Sequence, residues 1–168
     1  DAAMSGDYVT ALKEWRPLAE QGSAKAQYNL GQMYRNANGV PQDYQEAVKW
    51  YRLAAEQGHV DAQYNLGANY YYGKGVLKDN KKAVKWFRLA AEQGNVEAQT
   101  NLGVMYALGN GVIEDKVLAH MWWNIAASLG NENAKKYRDE IVKEMTESQI
   151  EEAQRLVIQC VENNYKGC

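Results

Sequence analysis

Only two cysteines, two prolines and a single phenylalanine occur among the 168 residues, and neither sign of charge dominates. Two cysteines allow one bridge at most. So few prolines leave room for long uninterrupted helices. Nineteen Lys and Arg against twenty-one Asp and Glu give a formal net charge of -2 and a pI near 5.8. That balance lacks the concentrated basic charge by which nucleic-acid binders release counterions. No apolar run approaches the roughly 20 residues that a membrane-spanning helix needs. What is present is ordinary for a folded domain: 46% hydrophobic and 24% charged residues, which excludes disorder and collagen-like structure. Twelve Tyr and five Trp stand beside the lone Phe, so the large side chains carry polar tips suited to half-buried surfaces. Fourteen glycines imply frequent punctuation between helices.

That punctuation is periodic. Ala-Gln-Tyr-Asn-Leu-Gly at Ala26 to Gly31 returns at Ala62 to Gly67, and again with Thr100 in place of Tyr at Ala98 to Gly103, a step of 36 residues each time. Gly39-Val40, Gly75-Val76 and Gly111-Val112 follow in register, then Asp43, Asp79 and Asp115. Ala47-Val-Lys-Trp50 and Ala83-Val-Lys-Trp86 are answered by Ala119-His120-Met121-Trp122, and the Ala-Ala pairs beginning at Ala54, Ala90 and Ala126 lead to Gly58, Gly94 and Gly130. Self-similarity at this period is the signature of a repeat architecture.

Each copy reads as two helices. Ala26, Leu30, Met33 and Tyr34 make one apolar stripe at helical spacing. Asp43 is a natural N-cap for a second helix, with Glu46 at the capping-box position, and Ala47, Trp50, Tyr51 and Ala54 supply its buried face. Trp86 and Trp122 hold the register of Trp50 and are expected to pack between helices. Residues 7–22 match a second helix without its partner, and the shortened start suggests that residues were removed upstream. Residues 131–142 begin another first helix, after which the register breaks. A longer helix over 146–165, with Thr146 as N-cap and Gln149 in the capping-box position, would cover the exposed face of the last repeat, as arrays require. The chain is thus read as one repeat domain over 1–168, with full repeats at 23–58, 59–94 and 95–130.

These residues resemble the Sel-one-like repeat family, a branch of the tetratricopeptide-type α/α solenoids, from Asp7 to about Arg138. The resemblance implies an all-α, right-handed superhelical solenoid whose concave face is lined by the first helices. It also implies an adaptor that binds other proteins, often bacterial and often exported. Ala37 departs from the pattern, because the other copies have Gly73 and Gly109 there, so the first loop is expected to differ in shape.

Catalytic signatures are sparse. His59 and His120 occupy unrelated repeat positions and have no partner at metal-ligand spacing, so neither a metal nor a cofactor is expected. None of Ser5, Ser23, Ser128 and Ser148 has Lys three residues on, and the Ser-x-x-Lys element of penicillin-recognising enzymes is missing. Cys160 and Cys168 cannot bond along one straight helix: eight residues rise about 12 Å, beyond the limit of about 7 Å between Cα atoms. A tail turning back at Lys166-Gly167 would close the bridge, and the sequence leaves bridged and free states both open.

The face of the first helices opposite Leu30 is the candidate binding surface. Tyr28, Asn29, Gln32 and Arg35 lie there in the first copy, Tyr64, Asn65, Tyr71 and Tyr72 in the second, and Thr100, Asn101, Val104 and Leu108 in the third. Asn29, Asn65 and Asn101 form a ladder able either to grip a peptide backbone or to bond neighbouring helices. Tyr28, Tyr64, Tyr71 and Tyr72 either make a patch of the type enriched at interface hot spots or pack within the groove. Repetition marks architecture, whereas residues present in one copy mark what the face binds. The reading is a non-enzymatic module, monomeric, holding a protein or peptide segment on this face, in the periplasm or secreted. The alternatives are a cell-wall or β-lactam-related hydrolase or a small-ligand binder, and a cytoplasmic location.

Overall fold

A computed structural model describes residues 7–168, which fall into two units, 7–79 and 80–168. The residues before Asp7, expected to be the remnant of a first helix, lie outside the described range. The architecture is an all-α solenoid of helix-turn-helix repeats, with no strand among the described residues.

The first unit holds α1 (Tyr8–Glu20), α2 (Ala24–Asn36), α3 (Tyr44–Glu56) and α4 (Val60–Tyr72), each packed on the next. The second holds α5 (Asn80–Ala91), α6 (Val96–Leu108), α7 (Lys116–Ser128), α8 (Glu132–Ile141) and α9 (Glu147–Glu162). There α7 is shared, with α6, α8 and α9 all packing on it. The starts are written in the sequence: the side chains of Ser23, His59, Asn95 and Asn131 cap first helices, and those of Asp7, Asp43 and Asp115 cap second helices. Thr146 and Gln149 complete a capping box at α9. The one expected at Asp43 stays half made, because the Glu46 carboxylate turns to Lys49 at 3.3 Å.

Three side-chain arrangements recur with the period. Gln27, Gln63 and Gln99 are buried and donate to the carbonyls of Ala19, Ala55 and Ala91 at 3.1, 3.1 and 3.2 Å, tying each first helix to the helix before it. Arg16 and Arg52 donate to the hydroxyls of Tyr34 and Tyr70 at 2.8 and 2.9 Å across the same junctions, and Arg88 does so to Tyr106. Within a repeat, Tyr51 and Trp123 lie on the glycines of the facing helix. A Cβ on Gly31 would sit 2.5 Å from the Tyr51 ring, and one on Gly103 2.4 Å from the Trp123 indole. Both rings are buried and have nowhere to move, so overpacking of this kind costs about 1–3 kcal/mol.

Trp50 and Trp122 are buried as inter-helix packing. Trp86 is only half-buried and lies under the Lys85 ammonium at 5.5 Å, while its neighbour Phe87 is the fully buried ring of α5. The first loop also departs from expectation. Ala37 adopts the same left-handed conformation (φ 58, ψ 32) as Gly73 (φ 69, ψ 32) and Gly109 (φ 63, ψ 26), so the turn keeps its shape. Satisfying the Met33 carbonyl with the Ala37 amide outweighs the crowding of one Cβ, which costs on the order of 1 kcal/mol. At the other end the tail turns earlier than Lys166. Asn164 and Tyr165 take φ 52 and φ 64. Their amides donate to the carbonyls of Val161 and Cys160, a Schellman-type stop. The reversal brings Cys168 back to Cys160, and the two form a disulfide with Cα atoms 5.6 Å apart.

The glutamine row contains one defect. The Gln27 oxygen accepts from Gln57 at 2.7 Å, whereas the buried Gln99 oxygen has no partner. Its register mate of Gln57 is Leu129, which is 46% exposed. Leu129→Gln should therefore supply the missing donor and raise stability by about 1 kcal/mol, read as a higher midpoint in urea. An unchanged or lower midpoint would show that the new amide does not reach Gln99.

Candidate functional site

In the first unit the outward face of α2 is knitted to α3 and α4 by polar side chains. The Gln32 amide donates to the Tyr28 hydroxyl at 2.6 Å, while its oxygen accepts from the Tyr51 hydroxyl at 3.1 Å. Burial pushes the Tyr51 phenol well above the ordinary tyrosine range, against the opposing pull of Arg35, so Tyr51 stays a neutral donor. The Tyr28 ring stacks on His59 with centroids 4.5 Å apart. His59 is itself held because its Nδ1 accepts from the Ala62 amide. Arg35 reaches from α2 and donates to the Asn65 oxygen at 2.9 Å. Tyr28, Gln32, Arg35 and Asn65 are thereby brought together.

The asparagine row is not uniform. Asn65 is 5% exposed, so of the two readings of the ladder it follows the bond to a neighbouring helix and is not an open rung. Buried polar groups must be paired, and Arg35 of the preceding first helix covers it. Asn29 and Asn101 are half-buried. Thr100 is buried as well, since its hydroxyl donates to the Val96 carbonyl and its own carbonyl accepts from Trp123 at 3.0 Å. In the second unit Leu108 is 61% exposed at the end of α6.

The open part of the first unit lies at the end of α4. Tyr72 is 67% exposed, and Tyr71 is half-buried with its ring edge-on to Tyr72 at 4.9 Å. Tyr64, about two turns earlier, is half-buried. Lys78 lies over the Tyr71 ring at 5.5 Å, and Lys74 lies over Tyr44 at 5.5 Å and Tyr72 at 6.0 Å. Sequence reading missed Tyr44, Lys74 and Lys78. The available signal was that Lys74 and Lys78 stand where the other copies have Asn38, Asn110, Gln42 and Glu114.

Neither histidine sits in a catalytic arrangement. His59 is used as a cap. His120 is buried on α7 with its Nδ1 unpartnered. Among the described residues no three His, Cys, Asp or Glu side chains converge as metal ligands would. One opening beside α9, about 190 Å³ and lined by Leu118, Met121, Leu156 and the disulfide, is smaller than typical small-molecule sites.

Burial holds the His120 imidazole below its ordinary value of 6.5, with Arg138 adding to the shift and Asp139 opposing it. The native state therefore resists the proton that the unfolded chain accepts. Its stability is full above about pH 6.5 and falls as pH drops below it. Val48 and Val84 occupy this register in the other copies. In thermal melts, His120→Val should lose less stability than the parent between neutral pH and pH ~5. Parallel losses would mean that His120 is not the group responsible.

Three consecutive segments, residues 24–59, 60–95 and 96–131, match the Sel1 repeat. No curated protein matches the chain. A Sel1 repeat protein from Oxalobacter formigenes is 41% identical, with a TM-score of 0.70 over 77% of this chain and 97% of its own. The protective antigen c5321 of uropathogenic Escherichia coli strains, which displays an SLR fold, is 32% identical with a TM-score of 0.72. That match covers 92% of this chain but 41% of the antigen, so this chain spans under half of that protein's length. Helicobacter pylori cysteine rich protein B, at 21% identity and a TM-score of 0.61 over 78% of this chain and 94% of its own, shares the fold. The matched segments span more than half of the sequence, in the register that its glycines and alanines set, and the chain belongs to the Sel1 repeat family.

Proposed function

We propose that a single copy of this chain acts as a non-catalytic interaction module, holding a protein segment on the face formed by its first helices. Sel1 repeat proteins are generally protein-interaction modules and typically non-enzymatic scaffolds, and no helix among the described residues is long and apolar enough to cross a membrane. The observation that carries the reading to particular residues is the Tyr71–Tyr72 pair at the end of α4, with Tyr72 exposed and Tyr71 half-buried. Arg35-Asn36 and Ala107-Leu108 stand at the same register in the other copies, so the fold does not require tyrosine there. An aromatic pair that is not demanded by the repeat and leaves one ring in solvent is what a partner would bury. Tyr28, Gln32, Arg35 and Asn65 support this contact by stiffening the neighbouring face, and Asn29 and Tyr64, both half-buried on α2 and α4, belong to the same proposed face. Asn101 and Leu108 offer the corresponding positions on α6 of the second unit.

The double variant Tyr71→Ala with Tyr72→Ala should weaken capture of the native partner about tenfold or more, while the far-UV circular dichroism stays that of the parent. Undiminished capture would remove this face from the reading.

We further propose that the protein works in an oxidising compartment, the periplasm or outside the cell. The Cys160–Cys168 disulfide supports this, since such bonds are rare where glutathione keeps thiols reduced. Protein taken from its native cells and unfolded without reductant should show no thiol reacting with Ellman's reagent. Two reactive thiols would place it in a reducing compartment.

A further inference from the structure

We infer that the end of α4, together with the start of α3, is a docking site for an acidic segment of a partner protein, bound by Lys74 and Lys78 over a floor of Tyr44, Tyr71 and Tyr72. This deepens the proposed function, on which it rests, by naming the chemistry of the partner.

The site arises from a close approach. The loop after α4 comes down on the first turn of α3, so near that a Cβ on Gly75 would lie 2.1 Å from the Tyr44 carbonyl oxygen. Only glycine fits there, and its φ of +73 belongs to the region that glycine favours. That contact carries Lys74 over the Tyr44 ring. The hydrogen bond from the Asn69 amide to the Lys74 carbonyl, at 2.8 Å, fixes the backbone beneath it. Lys78 closes the other side over Tyr71.

Charge decides what such a site takes. Among the described residues neither Lys74 nor Lys78 has a carboxylate partner; each is met only by tyrosine rings. The carboxylates nearest in sequence to Tyr44 are committed elsewhere. Asp43 accepts from the amides of Gln45 and Glu46, and Glu46 pairs with Lys49. By contrast Lys49, which also lies over an indole, has its carboxylate. An ammonium resting on a ring face keeps its outward N–H groups free to donate. Two such groups, beside the exposed Tyr72 ring and the half-buried Tyr44 and Tyr71 rings, complement a run of Asp or Glu side chains whose stems lie on the tyrosines. The equivalent positions in the other copies, Asn38 with Gln42 and Asn110 with Glu114, carry no cation. The pair is therefore not a demand of the repeat.

The test is fluorescence anisotropy with a labelled hexaglutamate peptide, using a hexaglutamine peptide as the neutral comparison. Hexaglutamate should bind the whole protein more tightly, and rising salt should weaken it, because exposed charges are screened. Lys74→Gln with Lys78→Gln should lower its affinity about tenfold. Lys135→Gln with Lys143→Gln, which removes the same charge from the second unit, should leave affinity within a factor of about two. Equal binding of the two peptides, or equal loss in the two double variants, overturns the inference. So does tighter binding of polyphosphate or of phosphatidylglycerol vesicles than of hexaglutamate, since the site would then serve a different anion. If the native partner is released by the Tyr71 and Tyr72 substitutions but retained by the lysine variant, the acidic-segment inference fails while the interaction face stands.

Discussion

A ring lies where a side chain is missing at Gly31 and Gly103, and this sets how near the two helices of a repeat can come. Once they are that close, backbone and side-chain polar groups between successive helices lose access to water and must find partners within the protein. The glutamines meet the carbonyls of Ala19, Ala55 and Ala91, and the arginines meet the hydroxyls of Tyr34, Tyr70 and Tyr106. The glycine contacts act inside a repeat, and the polar contacts act between one helix pair and the next. A helix pair alone buries too little to stand by itself, so these junctions are where an array becomes stable.

The same economy separates structure from function. Positions claimed by the period (Gln27, Gly31, Tyr34) are unavailable to a partner because every copy needs them. Freedom remains where the copies disagree. The second copy uses it to place two tyrosines and two lysines around the end of α4, whereas the first has Arg35 and Asn36 there and the third Ala107 and Leu108. Arg35 shows how such a residue can be drawn back into the scaffold: its guanidinium is committed to Asn65, while Tyr72 stays in solvent.

Much of this was legible in the amino acids. The caps at Asp43 and Thr146, the buried stripe of Ala26, Leu30 and Met33, and the face of Ala47, Trp50, Tyr51 and Ala54 all follow from spacing and residue chemistry. Other features were read less well, for reasons that are local in each case. Asn65 was assigned to an open arc because helical periodicity describes one helix against one core, and it takes no account of a side chain arriving from the preceding first helix. Ala37 was expected to reshape its loop, but hydrogen bonding to the Met33 carbonyl holds the left-handed turn regardless. Trp86 shares a register with two buried tryptophans yet stays half open beside Phe87. Lys74 and Lys78 escaped notice because a lysine in a loop looks solvated until something is seen beneath it.

The sequence by itself determined the repeat, its helices and their stops, since these depend on contacts within about one period of chain. Tertiary structure alone decided which polar side chains became mortar and which stayed exposed. It also decided whether Cys168 could meet Cys160, which depended on a reversal beginning at Asn164. Local propensities act along the chain, whereas the fate of a half-exposed side chain is set by whatever another turn of helix brings across it.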